Sequence, residues 1–359
     1  MKRREFIRLL GGACSGRLST EPRPQARVDR LMSDQFIFRH FVMALLCWAA
    51  FMEGVSAQPA PDRVYRVGFI SVSQGSLESF RQYAVPELAR RGFVEGRTLQ
   101  LETRFGEPNA IPALARDLDR AHPDVIVAVS NSVVHAVASA APGVAIVASY
   151  FGSDPVAEGM AQSLARPGGR ITGIAMLAEA LDAKRLDILH ETFPTMRRVA
   201  VLSGRPPRNE ASIEAMRATA QRLGVELTVI EADSPREYAP AFERMRAARA
   251  EALVVISAPD FNRDAAILAQ AAAAAGLPTI CEWRDMAERG CLLSYGPIKE
   301  QLMRRVAAYV VQILRGTPPG DLPIETPTHF ESVVNMKTAA SLGVDLPPET
   351  LIRADEVIE

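Results

Sequence analysis

The sequence predicts an α/β protein built of two Rossmann-like, doubly wound lobes, each with a parallel sheet, joined by a hinge. Three observations carry this. Short β-branched runs alternate with longer helical windows along most of the chain, which is the signature of βαβ units. Several of the runs, such as DVIVAVS (124–130) and ALVVISA (252–258), are apolar nearly throughout, as strands buried on both faces of a parallel sheet must be. There are also too many strands for one ordinary sheet, so two sheets are expected.

In chain order, the expected strands are 64–72, 99–105, 124–130, 144–150, 197–203, 225–231, 252–258, 278–283 and 291–296, with a further one near 331–335. Between them lie helical windows at 79–92, 209–224, 236–250 and 262–276, three of which end on glycine, the residue that best tolerates a left-handed cap. Pro167-Gly168-Gly169 interrupts the apolar periodicity and marks the first passage from one lobe to the other. A long helix over 298–315 and a Pro-rich stretch, GTPPGDLPIETPTHF (316–330), bring the chain back, and a helical tail closes it. The expected division is 62–173 with about 296–324 in lobe 1, and 174–295 with about 325–359 in lobe 2. Repeated crossings between two lobes make a hinge, and such hinges close around ligands.

Composition excludes several function classes. Of the 359 residues, 48% are hydrophobic and 23% charged, and the formal net charge of -1 gives no electrostatic reason to expect nucleic acid or an anionic membrane as partner. Residues 1–57 read as a leader. Arg3-Arg4 followed by Phe6-Ile7 looks like a twin-arginine export signal, but the apolar stretch behind it is broken by Arg8. A second segment, apolar from Phe41 to Met52, falls short of the roughly 20 residues of a spanning helix and leads to Val55-Ser56-Ala57, a pattern that signal peptidase accepts. Export to the periplasm with cleavage after Ala57, leaving Gln58 at the start, is the expectation, with Met32 as the working start or residues 1–31 a remnant. Cys14 and Cys47 leave with the leader, and Cys281 and Cys291 remain, either bridged or as two buried thiols.

Catalytic chemistry finds no support. The chain has no glycine-rich dinucleotide fingerprint, no P-loop, no H-E-x-x-H and no G-x-S-x-G. The five histidines stand singly, without ligand-like spacing, so neither metal nor cofactor is expected. What the chain offers is polar loops at the carboxyl ends of strands, where open α/β sheets bind ligands. Ser130-Asn131-Ser132 precedes a helix and can either cap it or present its N–H groups to an anion. Tyr150, Phe151 and Trp283 can wall an apolar ligand or form the edge of the core. Asp154 can accept a ligand ammonium or close an Asx turn, and Arg205 and Arg208 can pair with a carboxylate or stay solvated.

The leader MKRREFI-x-LLGGA, the run DPVAEGMAQSLARPGGRITGIA (154–175), the strand CLLSYG and the tail LPPETLIRADEVIE (346–359) resemble the ABC transporter substrate-binding proteins of the tryptophan/tyrosine-type group, which have the type I periplasmic binding protein fold. The resemblance covers essentially all of 64–359. It implies two lobes joined by three strands, a small organic solute held in the cleft, and delivery to a membrane permease driven by a separate ATPase, by a monomer that needs no cofactor. Carried over by position, the contacts are Ser73, Gln74, Ser130, Asn131, Ser132, Tyr150 and Asp154 from lobe 1, and Arg205, Asn209, Ser257, Asp260 and Trp283 from lobe 2. The chain departs from the family pattern at Ser203-Gly204-Arg205-Pro206-Pro207, where many relatives carry an Asn-Pro pair. The expected solute is an amino acid, or an aromatic or carboxylic acid. A ligand sensor that signals to a membrane partner is the alternative, and an enzyme on the same scaffold lacks a catalytic set.

Overall fold

The structure is a computed structural model and describes residues 63–205 and 209–359. The leader, Met32, the cut after Ala57, Cys14, Cys47 and Arg208 lie outside the described residues. Residues 62–359 form one compact unit.

Two sheets organise it. The first has the order β2-β1-β3-β4-β5, from β1 (Tyr65–Ser71), β2 (Leu99–Phe105), β3 (Val125–Val129), β4 (Ala145–Phe151) and β5 (Ile171–Ala175), and all its pairs are parallel. The second has the order β12-β11-β10-β9-β8-β6-β7, from β6 (Arg198–Ser203), β7 (Glu226–Glu231), β8 (Ala252–Val255), β9 (Thr279–Cys281), β10 (Leu293–Pro297), β11 (Phe330–Asn335) and β12 (Glu356–Ile358). Strands β3, β5 and β8 are buried along their whole length, β3 and β8 inside their sheets and β5 at the edge of the first, and all three read as largely apolar runs.

Two expectations need correcting. The second sheet is not wholly parallel, because β10 and β11 pair antiparallel, with Leu293 opposite Val334 and Pro297 opposite Phe330. The tail is not only helical either, since after its helices the last strand β12 pairs with β11. Both follow from where the chain re-enters the second sheet, which is a long-range event.

The helices are α1 (Gln74–Ser79), α2 (Val85–Arg90), α3 (Ile111–Asp119), α4 (Asn131–Ala140), α5 (Ala178–Thr192), α6 (Glu210–Leu223), α7 (Pro235–Ala247), α8 (Pro259–Arg263), α9 (Ala265–Ala274), α10 (Arg284–Glu288), α11 (Lys299–Leu314), α12 (Met336–Leu342) and α13 (Pro348–Arg353). A π-helical turn over Phe80–Ala84 joins α1 to α2, so that helical stretch begins well before residue 79. Gly92, Gly224 and Gly276 end their helices at positive φ, between 66° and 96°.

Three passages of chain join the sheets. The first runs from β5 into α5, and the second from β10 into α11, which packs on β3, β4, β5, α1, α2 and the π turn. The third begins at Glu325, whose backbone pairs with Gly173 and Ala175 beside β5, and continues into β11. Arg305 of α11 grips the Glu325 carboxylate and anchors this passage.

Candidate functional site

Parallel sheets gather the loops at the carboxyl ends of their strands on one edge, so the residues after β1, β3 and β4 share one rim and those after β6, β8, β9 and β10 share another. On the first rim, Ser73 caps α1 with its backbone, is fully buried, and its Oγ makes no hydrogen bond among the described residues. Its N–H donates to Ser71 Oγ at 3.0 Å, so β1 holds it in place. Gln74 is exposed in the first turn of α1. Ser130 sits at φ +81°, and its hydroxyl does not cap α4 but lies 3.3 Å from that of the exposed Ser132. Asn131 Oδ1 accepts from the N–H of Gly152 at 2.7 Å, tying the loop after β3 to the loop after β4. Phe151 is wholly buried core, whereas Tyr150 beside it is half-buried. Asp154 is exposed and accepts from Val156 N–H at 2.8 Å, which is the Asx turn.

On the second rim, Arg205 is exposed and paired with Asp233 and Glu237 at 2.8 and 3.0 Å. Asn209, at φ +62°, donates from Nδ2 to the Ser257 carbonyl at 3.1 Å, and its buried Oδ1 makes no hydrogen bond among the described residues. Asp260 is buried in the first turn of α8. Trp283 is 4% exposed, and its ring centroid lies 6.3 Å from that of Tyr150, so the two lobes meet ring against ring. α1 and α8 touch across the same seam.

Beneath this rim lies a buried ionic cluster that sequence reasoning missed. Arg185 and Asp182, three residues apart on α5, are both fully buried and paired. Arg185 donates from Nε to the Tyr295 carbonyl at 2.8 Å and from Nη1 to Ser257 Oγ at 2.7 Å. Ser257 in turn donates its N–H and its hydroxyl to Asp182 Oδ1, each at 3.1 Å. The remaining nitrogen, Nη2, lies 3.9 Å from Glu282 Oε1 and makes no hydrogen bond among the described residues.

Burial pushes the Glu282 carboxyl up to about 7, with Arg185 and Lys299 pulling it down and Asp182 adding to the rise. Burial likewise raises Asp182 against the pull of Arg185. The Tyr150 hydroxyl is raised first by burial and then by the charges of Glu282 and Asp260. Cys281 and Cys291 are bridged, and the bridge closes the segment that carries Glu282 and Trp283. Among the described residues no group of histidines, cysteines and carboxylates is placed to hold a metal.

Residues 69–358 match the family described as ABC transporter substrate binding protein. The chain belongs to that family. A relative named tyrosine-binding protein, from Clostridioides difficile, is 21% identical over 277 residues, which is 76% of this chain and 79% of the relative. Among solved structures, a conserved domain protein from Vibrio cholerae superposes with a TM-score of 0.75 at 23% identity, covering 82% of this chain and all of that one. The ABC domain from Streptococcus pneumoniae in complex with L-Trp superposes at 0.73 with 20% identity, covering 83% of this chain and all of that one. These likenesses show the fold of this substrate-binding protein to be that of the type I periplasmic binding proteins. Among its described residues no helix is long and apolar enough to cross a membrane.

The cluster was hidden for a physical reason. An Asp and an Arg at i and i+3 on a helix ordinarily form a solvated surface pair. The one signal pointing inward was the position of Glu282 and Trp283 at the carboxyl end of a short apolar strand.

Proposed function

We propose that this substrate-binding protein is the periplasmic receptor of an ABC importer, cut from its leader after Ala57, which closes its lobes as a monomer around a zwitterionic amino acid with an aromatic or apolar side chain. It then delivers that solute to a membrane permease driven by a separate ATPase. The observation that carries the reading is the meeting of Tyr150 and Trp283 at 6.3 Å across the seam, together with buried polar atoms at the strand ends that have no hydrogen-bond partner among the described residues: Ser73 Oγ, Asn209 Oδ1 and Arg185 Nη2. A buried polar atom without a partner costs on the order of 1–3 kcal/mol, and a solute that pairs with it recovers that energy.

The roles follow from charge. Glu282 and Asp260, whose fields converge on Tyr150, suit the solute ammonium. Ser73 and the start of α4 suit its carboxylate, and the aromatic pair suits its side chain. The names of the relatives, one tyrosine-binding and one solved with L-Trp, support an amino acid of this kind. The reading calls on neither enzymatic chemistry nor cofactor, and nucleic acid has no place in it.

Thermal-shift titration of the chain from Gln58 tests it, using L-Trp, L-Tyr and L-Phe beside the matching acids that lack the amino group. A solute at 100 times its Kd stabilises the folded state by about 2.7 kcal/mol. The reading expects the amino acids to raise Tm and the des-amino acids to fail. No shift with any amino acid, aromatic acid or dicarboxylate overturns it.

A further inference from the structure

The run DPVAEG (154–159) braces the rim of the first sheet. Asp154 closes its Asx turn on Val156, and its carbonyl accepts from the Glu158 N–H at 3.1 Å, so the chain doubles back and Glu158 returns to the residues just before the turn. There the Glu158 carboxylate accepts from the Ser153 hydroxyl and lies 3.1 Å from His135 Nε2 of α4. Burial raises the Glu158 carboxyl, but Ser153, Asn131 and His135 together outweigh it and hold it below the usual carboxylate range. The backbone that Glu158 grips is also the one that fixes Asn131, whose Oδ1 accepts from the N–H of Gly152 at 2.7 Å and from that of Ser153 at 3.4 Å. Flipping this amide would set its NH2 group against two N–H donors, so its orientation is determined. Nδ2 is buried and makes no hydrogen bond among the described residues. The amide lies close enough to Glu158 to lower that carboxyl, yet an amide nitrogen carries two hydrogens, and the second is left for another acceptor. Ser130, just before it, stands at φ +81° and ψ 156°, a region that is essentially glycine's, and its N–H donates to the Tyr150 carbonyl at 3.3 Å. Strain of that kind persists only where the surroundings fix it.

We infer that Glu158 is a positioning residue of the solute site: by gripping Ser153 it holds the Asn131 amide with Nδ2 offered to an acceptor oxygen of the solute. The inference rests on the receptor reading above for the solute, but not for the brace itself. Asn131 follows the carboxyl end of β3, where Val129 is paired with Tyr150 of β4, so the amide stands beside the aromatic seam. A buried donor without an acceptor is costly, and a solute oxygen that accepts from it recovers the cost. Recovery requires the nitrogen and not the oxygen of the amide to be offered, and the Gly152 and Ser153 N–H groups impose that choice. Glu158 itself is too far round the turn to be read as a strand-end contact, and its effect on the solute passes through Ser153 and Asn131. A group ordered before the solute arrives is one the solute need not order, which is what such a brace contributes to affinity.

The Gly152 amide supplies a reporter that needs no solute, since it donates directly to Asn131 Oδ1. In ligand-free protein, Glu158→Ala is expected to speed its hydrogen exchange roughly 5-fold or more, with Asn131→Ala, which removes the acceptor, as the upper limit. Glu158→Gln keeps an acceptor oxygen at the same reach for Ser153, and its N–H can donate to the other tautomer of His135, so it is expected to recover most of the protection. Ser153→Ala, which removes the hydroxyl that Glu158 grips, is expected to act like Glu158→Ala and serves in its place should that variant fail to fold. With a solute that binds wild type, Glu158→Ala is expected to raise Kd about 3- to 10-fold, the worth of one net hydrogen bond. The Glu158→Ala, Asn131→Ala double variant should bind no more weakly than Asn131→Ala alone, because the first residue acts through the second. Wild-type exchange at Gly152 in both Glu158→Ala and Ser153→Ala overturns the brace, and so does a Glu158→Gln variant that exchanges as fast as the alanine one, which would make the effect one of charge alone. An unchanged Kd in Glu158→Ala, or losses that add in the double variant, overturn its role in the solute site. Should no solute bind wild type, the receptor reading falls and the exchange arm still decides the brace.

Discussion

Replacing Glu282 by glutamine isolates a single buried titration. An ordinary glutamate titrates near 4.5, and Glu282 near 7. Each tenfold change in proton affinity is worth about 1.4 kcal/mol, so the full difference amounts to about 3 kcal/mol. The shift is upward, so the folded state binds the proton more tightly than the unfolded chain. Stability then falls as pH rises from 4.5 through 7, and the penalty is complete above 7. Glu282→Gln cannot ionise. It should match wild type most nearly at pH 4.5, gain about 1.4 kcal/mol over it by pH 5.5, and gain about 3 kcal/mol by pH 8. Asp182 and Glu331 are raised too and give wild type the same slope, so only the difference between variant and wild type assigns the effect to Glu282. Urea midpoints of both proteins from pH 4.5 to 8 measure it. A difference that stays constant, or that widens toward acid, refutes the assignment.

Three further perturbations test the parts around this carboxyl. Arg185→Met leaves Asp182 and Glu282 buried without their guanidinium, and should cost about 3–5 kcal/mol in urea unfolding at pH 8; a loss below about 1 kcal/mol would count against the cluster. Gly296→Ala would place a Cβ 2.1 Å from the Glu282 carbonyl oxygen, so backbone must move, and a drop of roughly 2 kcal/mol or more in stability with weaker solute binding is expected, read by Tm and titration. Removing the Cys281–Cys291 bridge, by reductant or as the double serine variant, frees a loop of 10 residues' separation, worth about 3 kcal/mol in loop-closure terms. A Tm unaffected by reductant would show that the bridge does not hold the Trp283 segment.

How much of this was legible depends on distance along the chain. The inner strands could be read because burial on two faces leaves no polar residue in them, as in Val125–Val129 and Ala252–Val255, whereas the edge strands β2 and β7 carry polar residues on their exposed faces. Helix ends could be read at Gly92, Gly224 and Gly276, where the left-handed cap is a local requirement. The antiparallel entry of β11 could not, since its direction is set by the passage beginning at Glu325, and that passage is fixed by contacts with Gly173 and Arg305 far away in the chain. The break between α8 and α9 at Asp264 was equally hidden. There the carboxylate pairs with its neighbour Arg263 and accepts from the Tyr238 hydroxyl at 2.7 Å, a partner 26 residues away that no local pattern announces.

The same distinction governs the site. Ser73, Asn131, Tyr150, Asn209, Ser257 and Trp283 could be placed at strand ends because the end of a parallel strand is a place that topology alone defines. Asp182 and Arg185 were not, because their burial is a property of the first crossing. Coming off β5, α5 packs on β8, β9 and β10, and this lays its first two turns under the strand ends instead of in water. An ion pair there costs desolvation that packing alone would avoid, and in exchange it fixes the Tyr295 carbonyl, the Ser257 hydroxyl and the Glu282 carboxylate relative to one another. If the proposed receptor closes around its solute, it gains from having these groups rigid beforehand, since every group already ordered is one the solute need not order. The bridge at Cys281 and Cys291 acts on the same strand ends from the other side. On the proposed reading, the second-sheet side of the site is accordingly a fixed surface.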